Sequence, residues 1–186
     1  AGLQARGPSD AKVTIVEVIT VPFALDYASR VARKYPTDVR VVFLPKPNDA
    51  QTGSTDGHLA LLAAAKQGQF WRYRDELGKR KVMRWKKQDY EQLAGELGLD
   101  LKEFREAAGS LETEVALARE SLRASGVAGG TPVWFVNGRM VDNYDAFRHN
   151  ALETTVMEEL QRAEKAVALG IPRAKLYDAL TEHGPL

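Results

Sequence analysis

The chain has 186 residues, 44% of them hydrophobic and 27% charged, with a formal net charge of +1. A single globular domain with room for an insertion accounts for that length and mix. Near-neutral charge gives no argument for a nucleic-acid partner or an acidic membrane surface, no apolar run is long enough to span a bilayer, and the absence of cysteine excludes disulfides, thiolate nucleophiles and thiolate-bound zinc.

No signal-peptide pattern opens the chain, and the start at Ala1 reads as a trimmed mature form or a domain of something longer. Residues Ala1 to Ala11 are small and polar and read as an arm. Lys12 to Ile19, rich in Val and Ile, is a largely buried strand. It runs into a helical pattern that starts at Val21-Pro22-Phe23-Ala24 and lasts to about Tyr35, with Leu25, Ala28, Val31 and Ala32 along one face. Pro22 suits a first helical turn, where its missing N–H costs nothing. A strand–helix junction gathers unpaired N–H groups and positive dipole potential, yet neither Val21 nor Ala24 can ionise, attack or bind a metal.

Asp38 to Leu44 is a second strand, so strand, helix and strand form a parallel βαβ unit. A polar loop over Pro45 to Gly57 precedes a helical stretch from His58 to about Ser125. Within it, periodicity predicts helices over His58 to Leu77, Lys87 to Leu97, Leu101 to Ala108 and Glu112 to Ala124, with a basic turn over Gly78 to Trp85. Gly126 to Pro132 is a glycine-rich loop. Val133 to Val136 is a third strand, and Asn137-Gly138 turns it back antiparallel through Arg139 to Val141. One long helix over Tyr144 to Leu169 and a short one over Arg173 to Thr181 complete the order. A four-stranded mixed sheet with helices on both faces satisfies it.

That order, with Val21-Pro22-Phe23-Ala24 and Gly130-Thr131-Pro132-Val133-Trp134-Phe135-Val136-Asn137-Gly138-Arg139, resembles the DsbA-like branch of the thioredoxin superfamily. Gln67-Gly68-Gln69-Phe70-Trp71 and Leu97-Gly98-Leu99-Asp100 look like further signatures of that branch, and the tail around Gly170-Ile171-Pro172-Arg173 is similar to DsbA-like domains of some multidomain proteins of Gram-negative bacteria. The resemblance implies an α/β thioredoxin fold (β-α-β, helical insertion, β-β-α) with an extra C-terminal helix, as one domain over 1–186, its core at 12–45 and 131–169 and its insertion at 56–126. It implies a cis Thr131–Pro132 bond in a loop that offers backbone groups to an extended peptide by strand addition. Phe23, Gly130, Thr131, Pro132 and Val133 are then the peptide-binding residues, and the location is periplasmic or otherwise extracytoplasmic.

Family members carry Cys-Pro-x-Cys where this chain has Val21, Pro22, Phe23 and Ala24. Both thiols are replaced, so dithiol–disulfide exchange is excluded. The reading is a redox-inactive domain with no catalytic residue, cofactor or metal. Its partner is an extended peptide, a protein or a neighbouring domain of a longer chain, with no nucleic acid and no membrane insertion. Two alternatives stand beside it. One is a glutathione-dependent transferase or isomerase on the same fold, which needs a thiolate-binding group near Val21 that only Thr20 and helix N–H groups supply. The other is a cysteine-less variant of a thiol-disulfide oxidoreductase.

Other features have plainer readings. His58 reads as a helix-start or packing residue, and His58, His149 and His183 show no metal spacing. The basic run Lys79-Arg80-Lys81, with Arg84, Trp85, Lys86 and Lys87, reads as a solvated face. Trp134 reads as core rather than as a stacking surface. Neighbours such as Glu158 and Glu159 point apart on a helix and make no acid/base dyad.

Overall fold

A computed structural model describes residues 4–20, 26–48, 53–80, 85–113, 115–116 and 131–182. Five strands form one sheet: β1 (Gln4–Arg6), β2 (Val13–Ile19), β3 (Val39–Pro45), β4 (Val133–Val136) and β5 (Arg139–Val141), in the order β1-β3-β2-β4-β5. The sheet therefore has one strand more than the sequence pattern predicts. β1 falls in the stretch read as an arm, and pairs antiparallel with β3 through Gln4 opposite Phe43 and Arg6 opposite Val41. Three residues are too few to show a period of two.

β2 and β3 run the same way. The Val13 N–H donates to the Asp38 carbonyl at one end and the Lys46 N–H to the Ile19 carbonyl at the other, both at 2.9 Å. β4 is antiparallel to β2 and to β5, with Glu17 opposite Trp134 and Val18 opposite Val133. The Asn137-Gly138 turn has φ of 44° and 84°, the doubly positive geometry that two-residue hairpins favour. Val13, Ile15, Glu17 and Ile19 share one face of β2 and are all fully buried.

Eight α-helices lie among the described residues: α1 (Tyr27–Lys34), α2 (Ser54–Lys66), α3 (Phe70–Arg80), α4 (Lys87–Glu96), α5 (Leu101–Ser110), α6 (Asn143–His149), α7 (Ala151–Ala168) and α8 (Leu176–Glu182). Several differ from the sequence expectation. Asp26 is not helical and α1 begins at Tyr27, consistent with the preference of Asp for the position just before a helix. The expected start at Pro22 lies outside the described residues. α2 begins at Ser54 rather than His58, because Ser, Thr and Asp also begin helices. The pattern read as one helix from His58 to Leu77 breaks at Gly68, whose φ is 70°, and resumes as α3. Gly78 and the first cations of the expected basic turn belong to α3. Helix α5 continues through Gly109 to Ser110. The long C-terminal helix is two, separated by Asn150 in the left-handed region at φ 53°, a conformation Asn tolerates better than most residues. A 3₁₀ turn over Arg173–Lys175 leads into α8. Most of the helix expected over Glu112 to Ala124 lies outside the described residues.

The chain divides into two compact units: Ala1–Val18 with Tyr27–Leu44 and Gly130–Leu186, and Ile19–Asp26 with Pro45–Gly129. In the first, α7 packs on α1, β4 and β5, and α8 packs on α7 through Ala163, Ala166, Leu176 and Leu180. Arg173 fastens this C-terminal part by donating to the Asp10 and Thr37 carbonyls at 3.0 and 2.8 Å. In the second, α2 packs against α3, α4 and α5.

Candidate functional site

Thr131 is half-buried at the head of β4, and the Thr131–Pro132 peptide bond is cis. Pro132 and Val133 are buried, so the side chains among these three that meet solvent reduce to Thr131. Val133 sits opposite Val18, near the end of β2. Val21, Pro22, Phe23, Ala24 and Gly130 lie outside the described residues. Thr20, the hydroxyl nearest to Val21 in sequence, is buried.

Behind β4 the site is aromatic and closed. Trp134 is fully buried and meets Tyr27 and Phe147 edge-on, each at a centroid distance of 5.8 Å. It is unavailable for stacking a ligand. Its Nε1–H donates to Glu17 Oε1 at 3.2 Å. Tyr27 donates to Asn150 Oδ1 at 2.6 Å, and burial, then the nearby Glu153 charge, raises its pKa. Glu17 was missed from the sequence, although its signal was there: a carboxylate at the inward parity of a Val-rich strand needs a donor.

His58 is fully buried, with Nδ1 2.7 Å from the Ser54 carbonyl and Nε2 3.0 Å from the Ile19 carbonyl. Burial pushes its pKa down to about 4 against the pull of those two carbonyls, so near neutral pH the ring is uncharged and donates from one nitrogen. Ser54 was also missed. Its hydroxyl donates to the Thr20 carbonyl at 2.6 Å and accepts from the Asn48 N–H at 3.0 Å. Half-buried Lys46, beside the end of β2, has its pKa lowered by burial.

Several of the remaining candidates have local partners. Lys79 pairs with Glu76 and Arg80 with Glu96, while Trp85 is buried and stacked on Tyr90 at 5.2 Å. Glu158 and Glu159, expected to point apart, meet on one guanidinium: Arg139 Nη1 lies 2.8 and 3.2 Å from their carboxylates. Glu159 is buried and also takes Asn137 Nδ2–H at 3.4 Å. A shallow cleft between α2, α4 and α5 has an apolar floor of Leu59, Tyr90, Phe104 and Ala108, and at its rim Arg105 is paired with Glu91 at 2.8 Å. Among the described residues no group of His, Asp and Glu could hold a metal ion.

A family model described as thioredoxin matches residues 3–153. The chain belongs to the thioredoxin family. No curated protein matches it. Solved structures that it resembles include alpha-DsbA1 of Wolbachia pipientis, with a TM-score of 0.73 at 11% identity over 89% of this chain and 94% of that one. BdbD of Bacillus subtilis gives 0.70 at 19% identity over 86% and 93%. A thioredoxin-like oxidoreductase of Silicibacter pomeroyi DSS-3 gives 0.66 at 22% identity over 88% and 92%. These likenesses establish a DsbA-like thioredoxin fold. With no cysteine anywhere in the chain, this member has no thiol with which to carry out disulfide exchange. Among the described residues no helix is long and apolar enough to cross a membrane.

Proposed function

We propose that this thioredoxin-family domain is redox-inactive and binds an extended peptide or a partner protein at the loop that leads into β4. The observation that carries the reading is a half-exposed Thr131, joined by a cis bond to Pro132 at the head of β4, in a chain without a thiol. Thr131 and the backbone of Pro132 and Val133 supply the contacts, by strand addition. Phe23 and Gly130 are the further contacts that the family resemblance implies. The buried state of Thr20 counts against a glutathione-activating hydroxyl. An extracytoplasmic location is part of the proposal, supported by the likeness to a structure described as a periplasmic thioredoxin-like protein of Salmonella enterica serovar Typhimurium. Recovery with cytoplasmic markers on cell fractionation would overturn that part.

The test is an NMR titration of labelled protein with a pool of cysteine-free unfolded peptides and, separately, with glutathione. Shifts at Thr131 to Trp134 with peptide and none with glutathione are expected. Saturable shifts with glutathione replace the proposal with a transferase or isomerase reading, and silence with both moves the function to another surface. A Val21→Cys, Ala24→Cys double variant is expected to form a reducible disulfide, and failure to do so shows that the strand–helix junction has left the family geometry.

A further inference from the structure

The function proposed above makes no use of the cleft between α2, α4 and α5, a space of about 450 Å³ open to solvent. Two of its walls, α2 and α5, run antiparallel. The end of α2 meets the start of α5 where the Gln67 side chain exchanges hydrogen bonds with the Asp100 backbone, both at 3.0 Å. The start of α2 meets the end of α5 where Leu59 packs with Leu111. Asp56 and Glu112, which both line the cleft, therefore stand at the same end of it. Neither has an ion-pair or hydrogen-bond partner among the described residues. Burial, and then the Asp56 charge, raises the Tyr90 pKa, so that charge is felt at the floor. Of the rim cations, Arg105 is committed to Glu91 at 2.8 Å, which leaves exposed Lys87. The rim thus carries two unengaged carboxylates against one ammonium.

The shape limits what fits. Leu59, Tyr90 and Phe104 are 8%, 1% and 2% exposed, so the floor shows only a narrow apolar strip. A ring-bearing small molecule gains little there, because sites for such ligands enclose most of the molecule. An alkyl stem with a charged head needs no more than a strip with carboxylates at its end. The lip is bare. Gly109 is exposed in α5 without the positive φ that calls for glycine, and a Cβ there would meet nothing within 4 Å. Alanine would fit and favour the helix, so the fold itself does not need this glycine. A second backbone lying close over the strip does.

We propose that the cleft receives one lysine or arginine side chain of a partner protein: its stem lies on Leu59 and Ala108, its cationic head between Asp56 and Glu112, and the partner's backbone over Gly109. This site does not rest on the function proposed above. The test is an NMR titration of the labelled full chain with blocked glycine pentapeptides carrying lysine, arginine, norleucine or glutamate at the centre. Saturable shifts at Leu59, Ala60, Ala108 and Gly109 are expected with lysine and arginine, with binding about fivefold weaker for norleucine and absent for glutamate. Asp56→Asn together with Glu112→Gln should weaken lysine-peptide binding about fivefold, and added salt should weaken it in the wild type. Gly109→Leu should abolish binding while urea unfolding shows a fold at least as stable as the wild type. Gly109→Ala gives the same reading in smaller measure should the leucine variant not fold. No shifts at the cleft with the lysine peptide, equal binding of the norleucine or glutamate peptide, or full binding to Gly109→Leu overturns the proposal. Shifts at Thr131 to Trp134 report on the other site alone, so either reading can fail without the other.

Discussion

Acidification should unlock His58. Its folded pKa is pushed to about 4 from an ordinary 6.5, with burial as the main cause. In the unfolded chain the ring takes its proton first as pH falls. The contribution to stability is therefore whole above about pH 6.5, and is lost as pH falls towards 4. Each pH unit in that window is worth about 1.4 kcal/mol, so the loss comes to about 3 kcal/mol. That is a large part of the ~5–15 kcal/mol that holds a domain folded. The carboxylates of Glu96 and Glu153, held below their ordinary value by hydrogen bonds from Arg80 and Lys34, release their contribution only at lower pH, and both pairs lie where solvent screens them, so they contribute little. Urea unfolding at pH 7, 6, 5 and 4 should show the fall in the wild type, and His58→Gln should remove most of it. A His58 ring that titrates by NMR near 6.5, or an equal pH slope in the variant, would refute the reasoning.

Three further outcomes are expected. Trp134→Phe removes the indole N–H from buried Glu17 and should cost about 1–3 kcal/mol in urea unfolding; a change inside the ~0.5 kcal/mol typical of surface substitutions would mean that Glu17 does not depend on that donor. Gly53→Ala places a Cβ 2.6 Å from the Trp85 carbonyl oxygen at φ 76°, and should lower stability by about 1–3 kcal/mol; unchanged stability would refute the close approach. Arg173→Ala removes the donors to the Asp10 and Thr37 carbonyls and should speed hydrogen exchange in α8 more than in β2, with about 1 kcal/mol lost overall; equal acceleration in both elements would contradict a local fastening role.

Elements with a strong period were legible in the sequence. The inward stripe of β2 and the Asn137-Gly138 hairpin needed only alternation and turn chemistry. The misses have local causes. β1 is held by its partner strand rather than by any pattern of its own. Asn150 separates α6 from α7 by one left-handed residue, and the apolar spacing resumes beyond it as if unbroken. In the site, the absence of thiols was plain at once, and so was the Gly130-Thr131-Pro132 sequence. Ser54 and Glu17 were not, because each matters through a partner far along the chain: Thr20, 34 residues from Ser54, and Trp134, 117 residues from Glu17. Spacing along a sequence cannot show such pairs.

On one side the sheet ends in β5, a strand of three residues. A border that brief leaves few N–H and C=O groups for a foreign strand to align with, which is one way natural sheets avoid zipping together edge to edge. Met140, at the middle of β5, is 66% exposed, so its side chain offers a greasy foothold beside a backbone that can hold little. That border therefore offers a second strand little to pair with.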